Sequence, residues 1–160
     1  MPAPSLVQFH TPGGVQMPDG FSTKVVFALM PTCPFWEITP QIGGIDGGEL
    51  IKISSMRNTL WHTAKFRTLL KAEDTEVKVS FDPRLYNEVK ANLINRNTTV
   101  SEWFPDGSTL TYFGGLRKMG KMSMSEGELP TTDITISKTN IDPSDNQTEY
   151  GPVMSPAAGT

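Results

Sequence analysis

The chain has 160 residues, of which 37% are hydrophobic and 19% charged, with a formal net charge of −3. That length suits one domain with a real core rather than two. The acidic balance gives no basic footprint for gripping nucleic acid, and no run approaches the roughly 18 apolar residues of a membrane-spanning helix. The opening MPAPSLVQFHTPGG has no basic region followed by an apolar one, so no secretory signal is expected.

In chain order, residues 1–20 hold Pro2, Pro4, Pro12 and Pro18 and read as an extended arm. Thr23 to Leu29 is β-branched and aromatic, hence a strand, broken by Met30-Pro31-Thr32-Cys33-Pro34. Phe35 to Thr39 is a short strand closed by Pro40. The run Gly43-Gly44-Ile45-Asp46-Gly47-Gly48 follows, and then a strand from Leu50 to Ser54. Such glycines suggest a phosphate cradle, but a cradle needs Lys-Ser/Thr or a helix start next, and Asp46 and Glu49 would repel an anion. The corner is therefore read as a tight turn whose glycines adopt positive φ.

Met56 to Leu70 fits neither the helical nor the strand period and carries Trp61 and Phe66 among polar and cationic residues. Ala72 to Phe81 alternates clearly, with Val77, Val79 and Phe81 against Glu76, Lys78 and Ser80. Asp82-Pro83 then supplies an N-cap and a proline at the first helical position. A helix over 83–94 would place Leu85, Tyr86, Val89, Leu93 and Ile94 on one face, with Asn95 to end it. Thr98 to Phe104 and Ser108 to Gly114 flank the turn signal Pro105-Asp106-Gly107. Leu116 to Met124 reads as a strand bulged at Gly120, and Thr132 to Lys138 as the last strand. The expected class is mainly β: a β-sandwich or barrel-like domain over 21–140, with a loop at 56–70, one flanking helix at 83–94, and an extended tail at 141–160.

The supply of catalytic groups is poor. His10 and His62 have no partner at ligand spacing, so no metal site is expected, nor any cofactor or enzymatic activity. Cys33, the single cysteine, forms no internal disulfide and reads as a small buried hydrophobe. The carboxylates are spaced as on a solvated surface. Asp142, Asp145 and Glu149 do not follow a calcium-loop pattern and suit an acidic exposed tail. Trp36 and Trp103, inside strands, are expected in the core. Trp61, on a polar segment, either tacks that segment down or meets a partner.

Several short sites in order carry a family resemblance. Trp36-Glu37-Ile38-Thr39-Pro40, Ile45-Asp46-Gly47-Gly48 and Ile53-Ser54-Ser55-Met56-Arg57-Asn58 are followed by Phe81-Asp82-Pro83 with Tyr86. Phe104-Pro105-Asp106-Gly107-Ser108-Thr109-Leu110 and Gly151-Pro152-Val153 complete the set. Together they resemble the tail tube (major tail) proteins of long-tailed bacteriophages. The resemblance implies a β-sandwich flanked by a helix, six copies in a ring, and rings stacked into a tube that conducts double-stranded DNA without specific binding. It also implies a virion location after assembly in the host cytoplasm, with tape measure and tail terminator proteins as further partners. On that reading Met56, Trp61, His62 and Phe66 are the candidate subunit-interface residues. Two rivals remain: another virion protein such as a capsid decoration, and a carbohydrate-binding module using the tryptophans.

Overall fold

Alternation of apolar and polar residues decides which elements form. In the computed structural model, which describes residues 9–10, 16–17, 23–32, 34–39, 41–55, 60–80, 82–128 and 130–157, the first strands are β1 (Phe9–His10) and β2 (Gln16–Met17). They are followed by β3 (Lys24–Phe27) and β4 (Phe35–Thr39). Four two-residue strands come next: β5 (Ile45–Asp46), β6 (Ile51–Lys52), β7 (Ala64–Lys65) and β8 (Lys71–Ala72). Then come β9 (Thr75–Ser80), a 3₁₀ turn at Pro83–Leu85, and the helix α1 (Tyr86–Asn92). The chain finishes with β10 (Thr98–Trp103), β11 (Thr109–Met119), β12 (Thr131–Lys138) and β13 (Val153–Ser155).

The main sheet closes on itself. Its antiparallel pairs run β3–β4, β4–β9, β9–β12, β12–β11, β11–β10 and β10–β3, a six-strand cycle, with β13 added to β11. Long β11 makes this possible. One edge pairs with β10 over Thr109 to Gly114, while the other takes β13 at 109–111 and β12 at 114–119. Alternate residues turn inward, so Val25, Phe27, Phe35, Val77, Val79, Val100, Leu116, Ile134 and Ile136 form the core. Phe27 and Phe35 meet edge-to-face at 5.7 Å, a geometry that adds about 1 kcal/mol to area burial. The mainly β, barrel-like class read from the sequence is the observed one.

Several boundaries differ from expectation, each for a physical reason. The stretches expected as two strands at 108–114 and 116–124 are one strand, β11, because Gly114 and Gly115 lie within the pairing. A Cβ on Gly115 would sit 2.0 Å from the Arg96 carbonyl, so glycine here allows close approach rather than a break. The register shift falls between Leu116 and Lys118, not at Gly120. The helix expected over 83–94 opens as a 3₁₀ turn and is α-helical only over 86–92. Asp82 contributes its carbonyl, which accepts from the Leu85 N–H at 3.0 Å, and α1 has no side-chain cap. A 3₁₀ turn takes three residues rather than 3.6, which rotates the apolar face. Val89 and Leu93 stay buried while Tyr86 is exposed. The helix ends at Asn92 with Leu93 as its C-cap, short of Asn95; Asn95, at φ 57°, turns the chain after it, its N–H donating to the Leu116 carbonyl.

Trp36 and Trp103 do not enter the core. Phe35 takes the inward position on β4, and Thr98, Val100 and Glu102 take those on β10, so both indoles face out. The expected extended tail is folded as well: Ile141 bridges to Glu149, and β13 pairs with β11. Asp142 caps a turn, accepting from the Ser144 N–H and hydroxyl at 2.8 and 2.7 Å. Asp145 accepts from the Gln147 and Thr148 N–H groups and from the Thr148 hydroxyl, which holds its carboxyl down at about 2. Of the expected N-terminal arm, Phe9–His10 pairs with Gln16–Met17; its other residues, like Cys33, lie outside the described ones.

Candidate assembly surface and a buried acid pair

The described part of the segment without a period, residues 60–70, runs antiparallel to the stretch before it. β5 pairs with β8 and β6 with β7, and the Ile53 N–H donates to the Thr63 carbonyl at 3.0 Å. Among the described residues, the stretches 41–55 and 60–74 thus lie against one another as a paired arm outside the barrel sheet; of the loop expected at 56–70, Ala64–Lys65 is strand. Alternation is missing from its sequence because neither face has a core to meet. At its root the Glu73 N–H donates to the Gly44 carbonyl at 2.9 Å. The glycine corner is only partly the expected turn. Gly48 does sit at φ 71°, its N–H bonded to the Asp46 carboxylate at 2.8 Å. Gly43 instead allows close approach, since a Cβ there would lie 2.4 Å from the Glu73 carbonyl.

The arm carries large apolar side chains into solvent. Leu60 is 85% exposed, Trp61 82%, Phe66 79% and Leu69 83%, and Ile45, Leu50, Ile51 and Leu70 are all about half exposed or more. A hollow of about 500 Å³ runs along it, lined by Ile51, Phe66, Leu69 and Leu70 with the stems of Lys65 and Arg67. Of the residues expected at a subunit interface, Trp61, His62 and Phe66 lie together on this arm, and Met56 lies outside the described residues. The His62 ring approaches Ser54 at 3.3 Å, and the Ser54 hydroxyl also accepts from the Thr63 N–H at 2.9 Å, which locks the outer end of the ladder.

A second surface lies on the barrel exterior. Lys24 is in register with Trp36 on one side and Trp103 on the other. Its ammonium stands 5.6 Å from each ring centroid, within cation–π range. Both indoles remain nearly half exposed.

Sequence reading missed a polar cluster inside the sheet. Glu102 is 1% exposed, and its carboxylate accepts from the Tyr112 hydroxyl at 2.6 Å. Glu37 lies close by, with one carboxylate oxygen buried and no hydrogen-bond partner. Burial, and then the charge of Glu102, push Glu37 up to about 7. Burial also raises Glu102, against the pull of Tyr112 and Lys138, and burial beside Glu102 raises the Tyr112 phenol, which keeps its proton. Lys138 is lowered by burial, its ammonium 5.1 Å from the Tyr112 ring centroid. A raised carboxyl beside a second one is a pattern of acid–base catalysts, but neither the arm hollow nor the one beside β9 and β12 is lined by Glu37 or Glu102. The signal was present in TTVSEW: Glu102 is in phase with inward Thr98 and Val100. Among the described residues no three His, Cys, Asp or Glu side chains gather at metal-binding distance, and no helix is long and apolar enough to cross a membrane.

Comparison with protein-family models finds no match, and comparison with curated proteins finds none either.

Proposed function

We propose that this chain is a structural subunit of a virion tail tube: copies associate into hexameric rings that stack around a conduit for double-stranded DNA. On this reading it is not an enzyme and takes no cofactor. It assembles with itself in the host cytoplasm, and with tape measure and tail terminator proteins. One observation carries the reading: a strand-paired arm that holds Leu60, Trp61, Phe66 and Leu69 in water. Each such side chain stabilises a contact by about 1.5–3 kcal/mol when buried, and an exposed apolar patch of this extent marks an interaction site. The short-site resemblance in chain order points to self-assembly as the interaction. Barrel closure constrains how neighbours join. The six cyclic strands pair with one another, so among the described strands an added one would meet the outer edge of β13, the β1–β2 pair or the arm. A net charge of −3 suits a wall that DNA slides past.

Electron microscopy of the purified protein tests this. Rings or tubes are expected, and their loss in a Trp61→Ser, Phe66→Ser double variant whose circular dichroism matches the parent. Dispersed single subunits at high concentration would overturn the reading. The exposed Trp36–Lys24–Trp103 row favours a second reading, a carbohydrate-binding module. In that case calorimetric titration with soluble oligosaccharides would give saturable heat that Trp36→Ala abolishes, with no rings in the micrographs.

A further inference from the structure

Two exposed surfaces of this chain are opposite in charge and alike in apolar content. On the outer part of the arm, the hollow floored by Ile51, Phe66 and Leu69 is bordered by Lys65 and Arg67, and Lys52 is exposed on the paired strand. Asp46 stands opposite Lys71 in the ladder and accepts from the Gly48 N–H. That leaves Lys52, Lys65 and Arg67 against Glu49, a cationic surface with an apolar floor.

The C-terminal face has the reverse character. Tyr150 lies edge-to-face on Phe113 at 5.8 Å, and Val153 is in register with Thr111, which shares a side of β11 with Phe113. Tyr150, Val153 and Met154 are each more than half exposed, so they stand as an apolar ridge. Asp142, Asp145 and Glu149 border it, and from Thr139 to Thr160 the sequence holds no Lys, Arg or His. Among the described residues, neither these acids nor Lys52, Lys65 and Arg67 take an ion-pair partner within the chain. β13 is the end strand of its sheet, so its outer edge is open among the described strands.

The other faces suit the arm less. The Trp36–Trp103 row holds the Lys24 ammonium at its centre, which would set like charge against the arm. The hollow beside β9 and β12 mixes Lys78 and Lys118 with Glu76 and Asp133 and offers no net attraction. Phe66 and Tyr150 are both exposed in the single copy, so a contact between the two surfaces runs between copies.

We propose that the arm of one copy docks on the C-terminal face of another: its hollow covers the Tyr150–Val153 ridge, its cations meet Asp142, Asp145 and Glu149, and one edge of its ladder runs along the open edge of β13. Strand addition of this kind supplies main-chain hydrogen bonds, while the charges set orientation and partner. The two patches differ, so the contact is head-to-tail. Each copy gives an arm and receives one, which closes a ring or extends a filament. This rests on the self-assembly reading and names the surface that receives the arm.

Charge exchange, read by sedimentation velocity and electron microscopy, tests it. The arm variant is Lys52→Glu, Lys65→Glu, which spares Arg67 because its guanidinium holds the Glu49 carbonyl at 3.1 Å. The face variant is Gln147→Lys, Glu149→Lys, which spares the turn-capping carboxylates of Asp142 and Asp145. All four positions are exposed, and circular dichroism matching the parent confirms the fold. Each variant opposes like charges, so the concentration for half-assembly should rise about tenfold or more. The chain carrying all four substitutions should return to within about threefold of the parent, since the exchanged charges again attract. Tyr150→Ser, which leaves charge unaltered, should weaken assembly about tenfold by removing apolar burial. A face variant that assembles like the parent would overturn the docking, as would a four-substitution chain that stays dispersed. Parent rings would in either case leave the tail tube reading standing. A parent that stays dispersed would overturn both. Loss of binding to duplex DNA or to phosphatidylglycerol vesicles in the arm variant, with assembly untouched, would assign the arm to that partner and overturn the docking alone.

Discussion

Replacing Val89 with Asp probes the contact between α1 and the barrel. Val89 is 0% exposed, at the centre of a seven-residue helix, with Leu93 at 1% one turn on. Leu85 and Ile94, partly buried, pack against the same core. Removing the valine forfeits about 1.5–3 kcal/mol of apolar burial. An aspartate there has no cation on the buried face of α1, since Lys90 is exposed, and an unpaired buried charge costs several kcal/mol more. The sum, about 5 kcal/mol, is comparable to the whole stability of an ordinary domain. The inserted carboxyl would take up a proton to avoid ionising in the core, so its folded pKa would be raised. The destabilisation should therefore be smaller at pH 5 and grow toward pH 8. Urea unfolding followed by circular dichroism measures this; at a slope of about 2 kcal/mol per molar, the midpoint should fall by roughly 2.5 M or the variant should be unfolded outright. Val89→Ala should lose about 2 kcal/mol, and the exposed neighbour change Lys90→Ala less than about 0.5 kcal/mol. A Val89→Asp midpoint equal to that of the parent would refute the packing described for α1.

Other expectations follow from the arm, the acid pair and the charge. Amides of residues 60–70 should exchange quickly in the isolated subunit and be protected after assembly, by hydrogen exchange with mass detection; full protection before assembly would contradict the arm's role. Glu37 holds its proton to about 7 in the folded chain against about 4.3 in an unfolded one. Stability should thus be highest below pH 4.3 as far as this group is concerned, fall as pH rises toward 7, and level off above. Glu37→Gln should flatten that slope in thermal melts, and an unaltered slope would assign it elsewhere. Duplex DNA titrated at physiological salt should give only weak, non-saturating association, because phosphate affinity comes from cationic contacts. Micromolar binding would defeat the conduit reading.

Local rules made much of this chain legible. Strict alternation in TEVKVS and TTDITISK placed β9 and β12 with their inward residues, since a half-buried strand must present one apolar face. Asn95 marked the turn that follows the helix, three residues past its last one, because few residues tolerate positive φ. Trp61, His62 and Phe66, the candidate interface residues, stand in a stretch that lacks any period, and that lack has a cause: an arm with solvent on both faces imposes none. Other features depend on which strand lies beside which. Gly43, Gly114 and Gly115 read as turns or breaks in isolation, and only the neighbouring backbones of Glu73, Ser137 and Arg96 make them close-approach sites. Trp103 and Glu102 are adjacent, and hydrophobicity alone would bury the indole; the phase set by Val100 against Tyr112 and Phe27 buries the acid instead. Glu37, Thr75, Glu102, Tyr112 and Lys138 come from five different strands. Their proximity exists only because the sheet closes: the turn at 105–107 announces the β10–β11 hairpin, but closure also needs β10 beside β3, strands about 70 residues apart with no local turn to join them.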